Sequence, residues 1–299
     1  MKMGSSRDTE LACNVCGSDY RTTVWTKEGY RIARCASCGL LYVENPPAPG
    51  ELQAHYSFAA GYHQRLAVDG AHVELHAGEA RANLRVLNRN ARAGRLLDVG
   101  CSTGLFLAAA RDAGWDARGL EYSADSARVA RERHGRDVDQ GELLPGRYDP
   151  ASFDVVTMWD VIEHLPDPRA ALRVVHEILK PGGLFVAKTP NADGIYPRVS
   201  FAVAAAVGFW GHPEPPGHLY QFSVATLGRL LRDSSFAIRR VHHQRIPIAY
   251  SFGDMQGWFR SAKWLAYSCV FAPLALAGPL FCRGDAFTIV ARKHDAREI

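Results

Sequence analysis

The feature that most constrains this chain is a regular exchange of short apolar runs and helical runs that begins at Arg95. RLLDVG (95–100) is an apolar run closed by a Gly-containing turn, and FLAAARDAG (106–114) reads as a helix stopped by Gly114. DARGLEYS (116–123) is a second strand and SADSARVARERHG (123–135) a second helix. FDVVTMWDVIEH (153–164) reads as a third strand, PRAALRVVHEILKPGG (168–183) as a helix and LFVAKTPN (184–191) as the next strand. ATLGRLLRDSSF (225–236) is helical, and AIRRVHHQRI (237–246) and DAFTIVARK (285–293) are strands. Strands that alternate with helices imply an α/β fold, with a doubly wound, mostly parallel sheet covered on both faces.

The rest of the chain is placed around that frame. Residues 1–50 hold two Cys pairs and end in the breaker run Asn45-Pro46-Pro47-Ala48-Pro49-Gly50. Residues 51–94 read as a helical cap or linker, in which HVELHAGEARANLRVLNRN (72–90) has helix-forming composition and Gly94 would cap it. The frame itself occupies 95–299, with insertions expected at 194–217 and 249–284. Substrate-specific structure is commonly carried by such insertions.

DVGCSTG (98–104) follows a strand and opens a helix. Gly100 permits a tight turn, and Gly104 with the helix N-terminus lets backbone N–H groups approach a ligand carboxylate or ribose. Glu121 ends the second strand, where a carboxylate can accept from both ribose hydroxyls. The turn lacks the middle Gly that brings a backbone close to a pyrophosphate. An acidic Asp98 also sits badly beside pyrophosphate but suits a cationic ligand.

LLDVGCSTGLFLAAARDAGWDARGLEYS, FDVVTMWDVIEHLPDP, ILKPGGLFVAKTPN and HLYQFSVATLGRLLRDSSF together resemble the successive motifs of class I S-adenosylmethionine-dependent methyltransferases. The branch they are most similar to includes the ubiquinone-biosynthesis O-methyltransferases, and the resemblance spans 95–293 apart from the insertions. It implies a seven-stranded Rossmann-like methyltransferase fold and S-adenosyl-L-methionine as cofactor. Asp98, Gly100, Gly104 and Glu121 become cofactor contacts, with Cys101, Ser102, Tyr122, Trp159 and Asp160 as further candidates. The segment around Gln140, Gly141 and Glu142 would face the adenine.

WDVIEHLP (159–166) ends the third strand, so Asp160, Glu163 and His164 would stand in the crevice at the strand ends. His218 follows the first insertion. Two chemistries stay open. A divalent ion such as Mg²⁺ among Asp160, Glu163, His164 and His218 would bind an acceptor hydroxyl and lower its pKa. The E-H…H arrangement resembles metal sites of small-RNA 2′-O-methyltransferases and ubiquinone-pathway enzymes, although Asp160 stands where a longer Glu is usual. Alternatively His164 alone is a general base. A third reading leaves His164 packing against cofactor and His218 capping the next helix region.

Cys13-Asn14-Val15-Cys16 and Cys35-Ala36-Ser37-Cys38 have the C-x2-C-x18-C-x2-C spacing of a structural zinc ribbon. Four Cys leave no open coordination position, and so short a segment would take its folding energy from the metal. A ribbon can bind nucleic acid, but Asp19, Glu28 and Glu44 dilute its basic residues, and the whole chain carries a net charge of only +4. The reading therefore favours docking on the catalytic domain over nucleic acid.

Trp264 to Cys282 is uncharged, with Lys263 and Arg283 at its edges. Pro273, Gly278 and Pro279 argue against a straight spanning helix, and the following strand must return to the sheet. A peripheral membrane contact through 258–282, with Trp258, Phe259 and Trp264 at the headgroups, competes with a buried lid or dimer surface. MKMGSSRDTE has no apolar signal core, so the cytoplasm, including the inner face of its membrane, is the expected location. The function expected is methyl transfer to a hydroxyl of a small or lipid- or sugar-linked intermediate. Sugar C-methylation, RNA methylation and a non-catalytic S-adenosylmethionine-binding module are the rivals. Oligomeric state is not written in the sequence.

Overall fold

A computed structural model describes residues 12–48, 50–52, 70–135, 137–208, 210, 214–247 and 262–294. The chain divides into two compact units. One comprises residues 46–187, 231–239 and 290–299; the other comprises 1–45, 188–230 and 240–289.

A ribbon of strands opens the chain: β1 (Arg21–Lys27), β2 (Tyr30–Cys35) and β3 (Leu41–Val43). Helix α1 (Gly70–Asn90) then leads to β4 (Arg95–Val99), α2 (Leu105–Asp112), β5 (Asp116–Glu121), α3 (Ala124–His134), β6 (Val138–Gln140) and β7 (Phe153–Trp159). After a 3₁₀ turn at Ile162–His164 come α4 (Pro168–Ile178), β8 (Leu179–Pro190), α5 (Ile195–Val207), β9 (Tyr220–Gln221), α6 (Val224–Asp233) and β10 (Phe236–Gln244). Helix α7 (Ala262–Ala277), a 3₁₀ turn at Gly278–Phe281 and β11 (Ala286–Lys293) complete the described elements.

The main sheet has seven strands in the order β10-β11-β8-β7-β4-β5-β6. Strand β4 pairs in parallel with both β5 and β7, and β5 in parallel with β6. The chain therefore winds outward from β4 through β5 and β6, then returns to the other side of β4 at β7. That reversal is the switch point where open α/β sheets leave a crevice at the carboxyl ends of their strands. The core under it is built by Leu87, Leu96, Leu107, Ala110, Trp115, Ala117, Val155, Val186 and Val290. Each large apolar side chain so buried contributes about 1.5–3 kcal/mol.

Several boundaries differ from the sequence reading for local reasons. Helix α1 ends at Asn90, whose side-chain amide donates to the Val86 carbonyl at 2.7 Å, so Gly94 is not its cap. Gly94 is instead a close-approach position, because a Cβ there would lie 2.8 Å from Asp154 Oδ2. That carboxylate accepts the Arg95 N–H. The Lys180–Gly183 stretch belongs to strand β8 rather than to α4. Helix α4 stops at Ile178, and the Lys180 ammonium reaches both Asp154 oxygens at 2.8 Å. The third strand stops at Trp159, and the three-residue β6 is too short to show as a pattern in the sequence. Pro273 lies inside α7. The cap segment 53–69 and the anchors Trp258 and Phe259 fall outside the described residues.

In the second unit, β1, β2 and β3 form an antiparallel sheet joined through a tight turn with positive φ at Glu28 (52°) and Gly29 (80°). Glu44 pins it, accepting from Arg21, Arg31 and Thr23 at 2.8–3.0 Å. The fourth strand of this sheet is β9, which pairs Leu41 with Gln221 and Tyr42 with Tyr220. Ile32, Leu41, Trp25, Phe201, Ala204 and Trp210 share one apolar cluster, so the ribbon packs on α5.

Candidate functional site

The crevice is lined first by the turn after β4. Gly100 has φ +74°, and a Cβ there would fall 2.5 Å from Val161 Cγ2, so only glycine fits between β4 and the segment after β7. Gly100 and Cys101 N–H donate to the Leu120 carbonyl at 2.7 and 3.2 Å, which ties the turn to β5. Ser102 (φ +50°) and Gly104 (φ +84°) then aim the chain into α2. The first N–H groups of α2 lack intrahelical partners and are suited to an anionic ligand group. Cys101 turns its buried thiol into the core, where burial pushes its pKa well up. Its contribution to the crevice is therefore its backbone.

Glu121 is buried at the end of β5. Its Oε2 accepts the Ser102 N–H at 2.8 Å and its Oε1 accepts the Ser123 N–H at 2.8 Å. Burial pushes its pKa up, and the N–H groups of Ser123, Ser102 and Tyr122 pull it down. The carboxylate keeps lone-pair capacity for a ligand hydroxyl. Asp98 is buried beneath it and accepts the Thr157 hydroxyl at 2.7 Å. Burial raises its pKa to about 7; Thr157 opposes the shift and the Glu121 charge adds to it. Two buried carboxylates together make this crevice receptive to a cation.

The loop after β6 closes on the same side. Gly141 N–H donates to the Glu121 carbonyl, Gln140 Nε2 to the Tyr122 carbonyl at 3.2 Å, and Arg147 to the Gln140 carbonyl at 2.8 Å. Burial, then the charge of Glu142, raises the Tyr122 hydroxyl pKa. At the end of β7, Trp159 meets Phe106 of α2 edge-on at 5.0 Å, and its indole N–H is buried without a hydrogen-bond partner. Asp160 adopts φ +56°, bending the chain so that the turn carrying Glu163 and His164 follows immediately. Glu163 is buried and His164 half-buried. The structure thus collects Asp98, Gly100–Gly104, Glu121, Gln140, Gly141 and Trp159–His164 within one unit. His218 belongs to the other unit, where its N–H donates to the Glu214 carbonyl just before β9. The sequence reading missed Thr157 and Ser123. Both are small residues whose significance lies in the partner they meet across strands or turns.

The four ribbon cysteines form a second centre. Cys13 Sγ lies 3.5 Å from Cys38 Sγ, Cys16 Sγ lies 3.5 Å from Cys35 Sγ, and all four sulfurs are within 4.8 Å of one another. A tetrahedron of thiolates about 2.3 Å from zinc has edges of about 3.8 Å, so the set fits that ion. The knuckles match each other: Gly17 N–H donates to the Cys13 carbonyl at 2.7 Å and Gly39 N–H to the Cys35 carbonyl at 3.0 Å. Both glycines have positive φ, 72° and 79°.

A family model described as a methyltransferase domain matches residues 74–241, more than half of the chain. The chain belongs to the class I S-adenosylmethionine-dependent methyltransferase family. Among curated relatives, this methyltransferase-family chain is 38% identical to a ubiquinone biosynthesis O-methyltransferase of Idiomarina loihiensis over 106 residues, 33% of this chain and 43% of that one. It is 37% identical to the enzyme of the same description from Cereibacter sphaeroides over 121 residues, 39% of this chain and 47% of that one. The methyltransferase-family chain thus spans about half the length of the curated relatives it matches. Its fold is shared with a solved S-adenosylmethionine-dependent methyltransferase of Thermotoga maritima. That match has a TM-score of 0.52 at 19% identity and covers 79% of this chain and 96% of that one. A methyltransferase of Archaeoglobus fulgidus matches with a TM-score of 0.50 at 19% identity, covering 74% and 94%.

Proposed function

We propose that this protein transfers the methyl group of S-adenosylmethionine to a hydroxyl of a small or lipid- or sugar-linked biosynthetic intermediate. The observation that carries the reading is the Glu121 clamp over buried Asp98. It is a pair of carboxylates, Glu121 held by backbone N–H groups and Asp98 by the Thr157 hydroxyl, beside a glycine turn at the switch point of the sheet. S-Adenosylmethionine supplies an electrophilic methyl on a sulfonium. The chain's part is to hold the donor and prepare the acceptor. Glu121 accepts the ribose hydroxyls, ionised Asp98 complements the cationic end, and the N–H groups at the start of α2 receive the donor carboxylate. Gln140 and Gly141 border the adenine, and Trp159 walls the crevice. His164 takes the proton as the acceptor oxygen attacks. The four ribbon cysteines hold a structural zinc.

A second reading is favoured by the buried Glu163 carboxylate directly preceding His164: these would ligate a divalent ion such as Mg²⁺, with Asp160 and His218 as further donors. The two schemes separate by experiment. With His164 as lone base, His164→Ala lowers kcat about a hundredfold or more while His218→Ala is mild and a gentle chelator has no effect. With an ion, both variants lose most activity, and the chelator does the same to the wild type. Donor affinity by calorimetry is retained throughout. Full turnover of His164→Ala would defeat both schemes. Comparative metabolite mass spectrometry with and without the gene identifies the acceptor, and separates O-methylation from sugar C-methylation or RNA methylation. Binding of the donor with no methylated product in any fraction would instead support a non-catalytic module.

A further inference from the structure

Helix α7 is apolar on both of its sides. Ser268, Phe271, Ala272 and Ala275 are buried, and Phe271, Ala272 and Ala275 cluster with Tyr196 of α5; the Tyr196 and Tyr267 hydroxyls meet at 2.9 Å. The other side carries Val270, 58% exposed, and Leu276, 46% exposed. The 3₁₀ turn that follows presents Leu280 at 83% and Phe281 at 68% exposure. A helix docked on a water-soluble protein ordinarily turns polar residues outward.

The turn is a fixed tip. Cys282 closes it with φ +53°, and Arg283 N–H returns to the Gly278 carbonyl at 2.8 Å. A Cβ on Gly278 would lie 2.6 Å from the Arg283 carbonyl oxygen, so the backbone is folded tightly on itself. The Ile195 N–H donates to the Arg283 carbonyl at 3.0 Å, which sets the first turn of α5 beside the tip. Exposed Arg198 and Val199 follow on that helix.

Charge decides what covers this face. Exposed Arg283 follows the tip directly, and between Asp254 and Asp285 the sequence has no acidic residue. A second copy docked tip to tip would oppose Arg283 with its own Arg283 across a two-fold axis. Anionic lipid headgroups complement Arg283, while their acyl boundary accepts the apolar side chains. We propose that Leu280 and Phe281, supported by Val270 and Leu276, dock into an anionic bilayer surface with Arg283 at the phosphate level. This surface goes beyond methyl transfer and does not rest on it.

Flotation of the full-length, zinc-loaded protein with vesicles tests the assignment. Wild type is expected to float with phosphatidylcholine vesicles containing phosphatidylglycerol, less so in high salt, and little with phosphatidylcholine alone. Leu280→Ser/Phe281→Ser should lower partitioning at least about tenfold, since two of the exposed apolar groups are lost. Arg283→Glu should weaken it as well, and Tyr20→Ser, an exposed aromatic on the ribbon, should leave it unchanged. Thermal melting and S-adenosylmethionine binding of the double variant establish that it is folded. Equal flotation of wild type and a folded double variant, or equal binding to neutral vesicles, overturns the proposal. So does a wild-type dimer that the double variant dissolves without any vesicle binding.

Discussion

Glu121 performs two tasks with one carboxylate. It holds the Ser102 and Ser123 N–H groups and, in the proposed function, receives the ribose. Glu121→Ala should therefore weaken S-adenosylmethionine binding by about 1.5–3 kcal/mol for each charged hydrogen bond lost, read by calorimetry. Unchanged affinity would remove Glu121 from the donor site. Asp98 adds a pH dependence. Its folded-state pKa of about 7 lies above the ordinary carboxylate value. In the free protein its contribution to stability is therefore greatest at low pH and is lost as pH rises toward about 7. A cationic donor needs the ionised form, so affinity should rise from about pH 6 to about pH 8 and be flatter in Asp98→Asn. Gly100 offers a purely steric test. Gly100→Ala must accept both a left-handed backbone and the Val161 contact, costing about 1–3 kcal/mol from the backbone alone. The added change Val161→Ala should restore the contact part in thermal melts and leave the backbone part.

At the scale of elements, the ribbon is more than a clip at one end. Its sheet is completed by β9, and its Trp25 meets Trp210 edge-on at 6.0 Å while Trp210 lies 4.6 Å from Phe201 of α5. Elemental analysis should find about one zinc per chain, and Cys35→Ser should release it. Hydrogen exchange should then quicken in β1–β3 and also in α5, residues 195–207, because both rest on one cluster. Protection of α5 that is unchanged after zinc loss would separate the two. Element borders were the least legible part of the sequence. Lys180–Gly183 reads as a helix end, yet the Lys180–Asp154 ion pair accompanies its place at the start of β8. Pro273 is a residue that disfavours helix interiors, yet α7 continues through it with Phe271, Ala272 and Ala275 packed beside α5. In both places, partners distant in sequence accompany a structure that local propensity argues against.

For the whole molecule, a ligand that binds only the folded chain raises its stability by about 2.7 kcal/mol at a hundredfold excess over Kd. S-Adenosylmethionine should accordingly raise the melting temperature of the wild type, and much less that of Glu121→Ala. No helix among the described residues is long and apolar enough to cross a membrane. What the sequence by itself determined is the part written in short-range pattern. This includes the strand–helix alternation from Arg95, the glycine turn with its acid at Glu121, the two cysteine knuckles, and the Asp160–His164 segment after a strand. These depend on backbone geometry and spacing within a few residues, which a linear text records. Only the tertiary structure decided that Thr157 meets Asp98 and that Ser123 shares Glu121 with Ser102. It also decided that β9 closes the ribbon sheet, that the ribbon rests on α5, and that α7 leaves an apolar side exposed. Apart from the Ser123–Glu121 contact and the exposed side of α7, these are pairings of groups far apart along the chain. Small or apolar side chains acquire such roles only from the neighbours that folding brings to them.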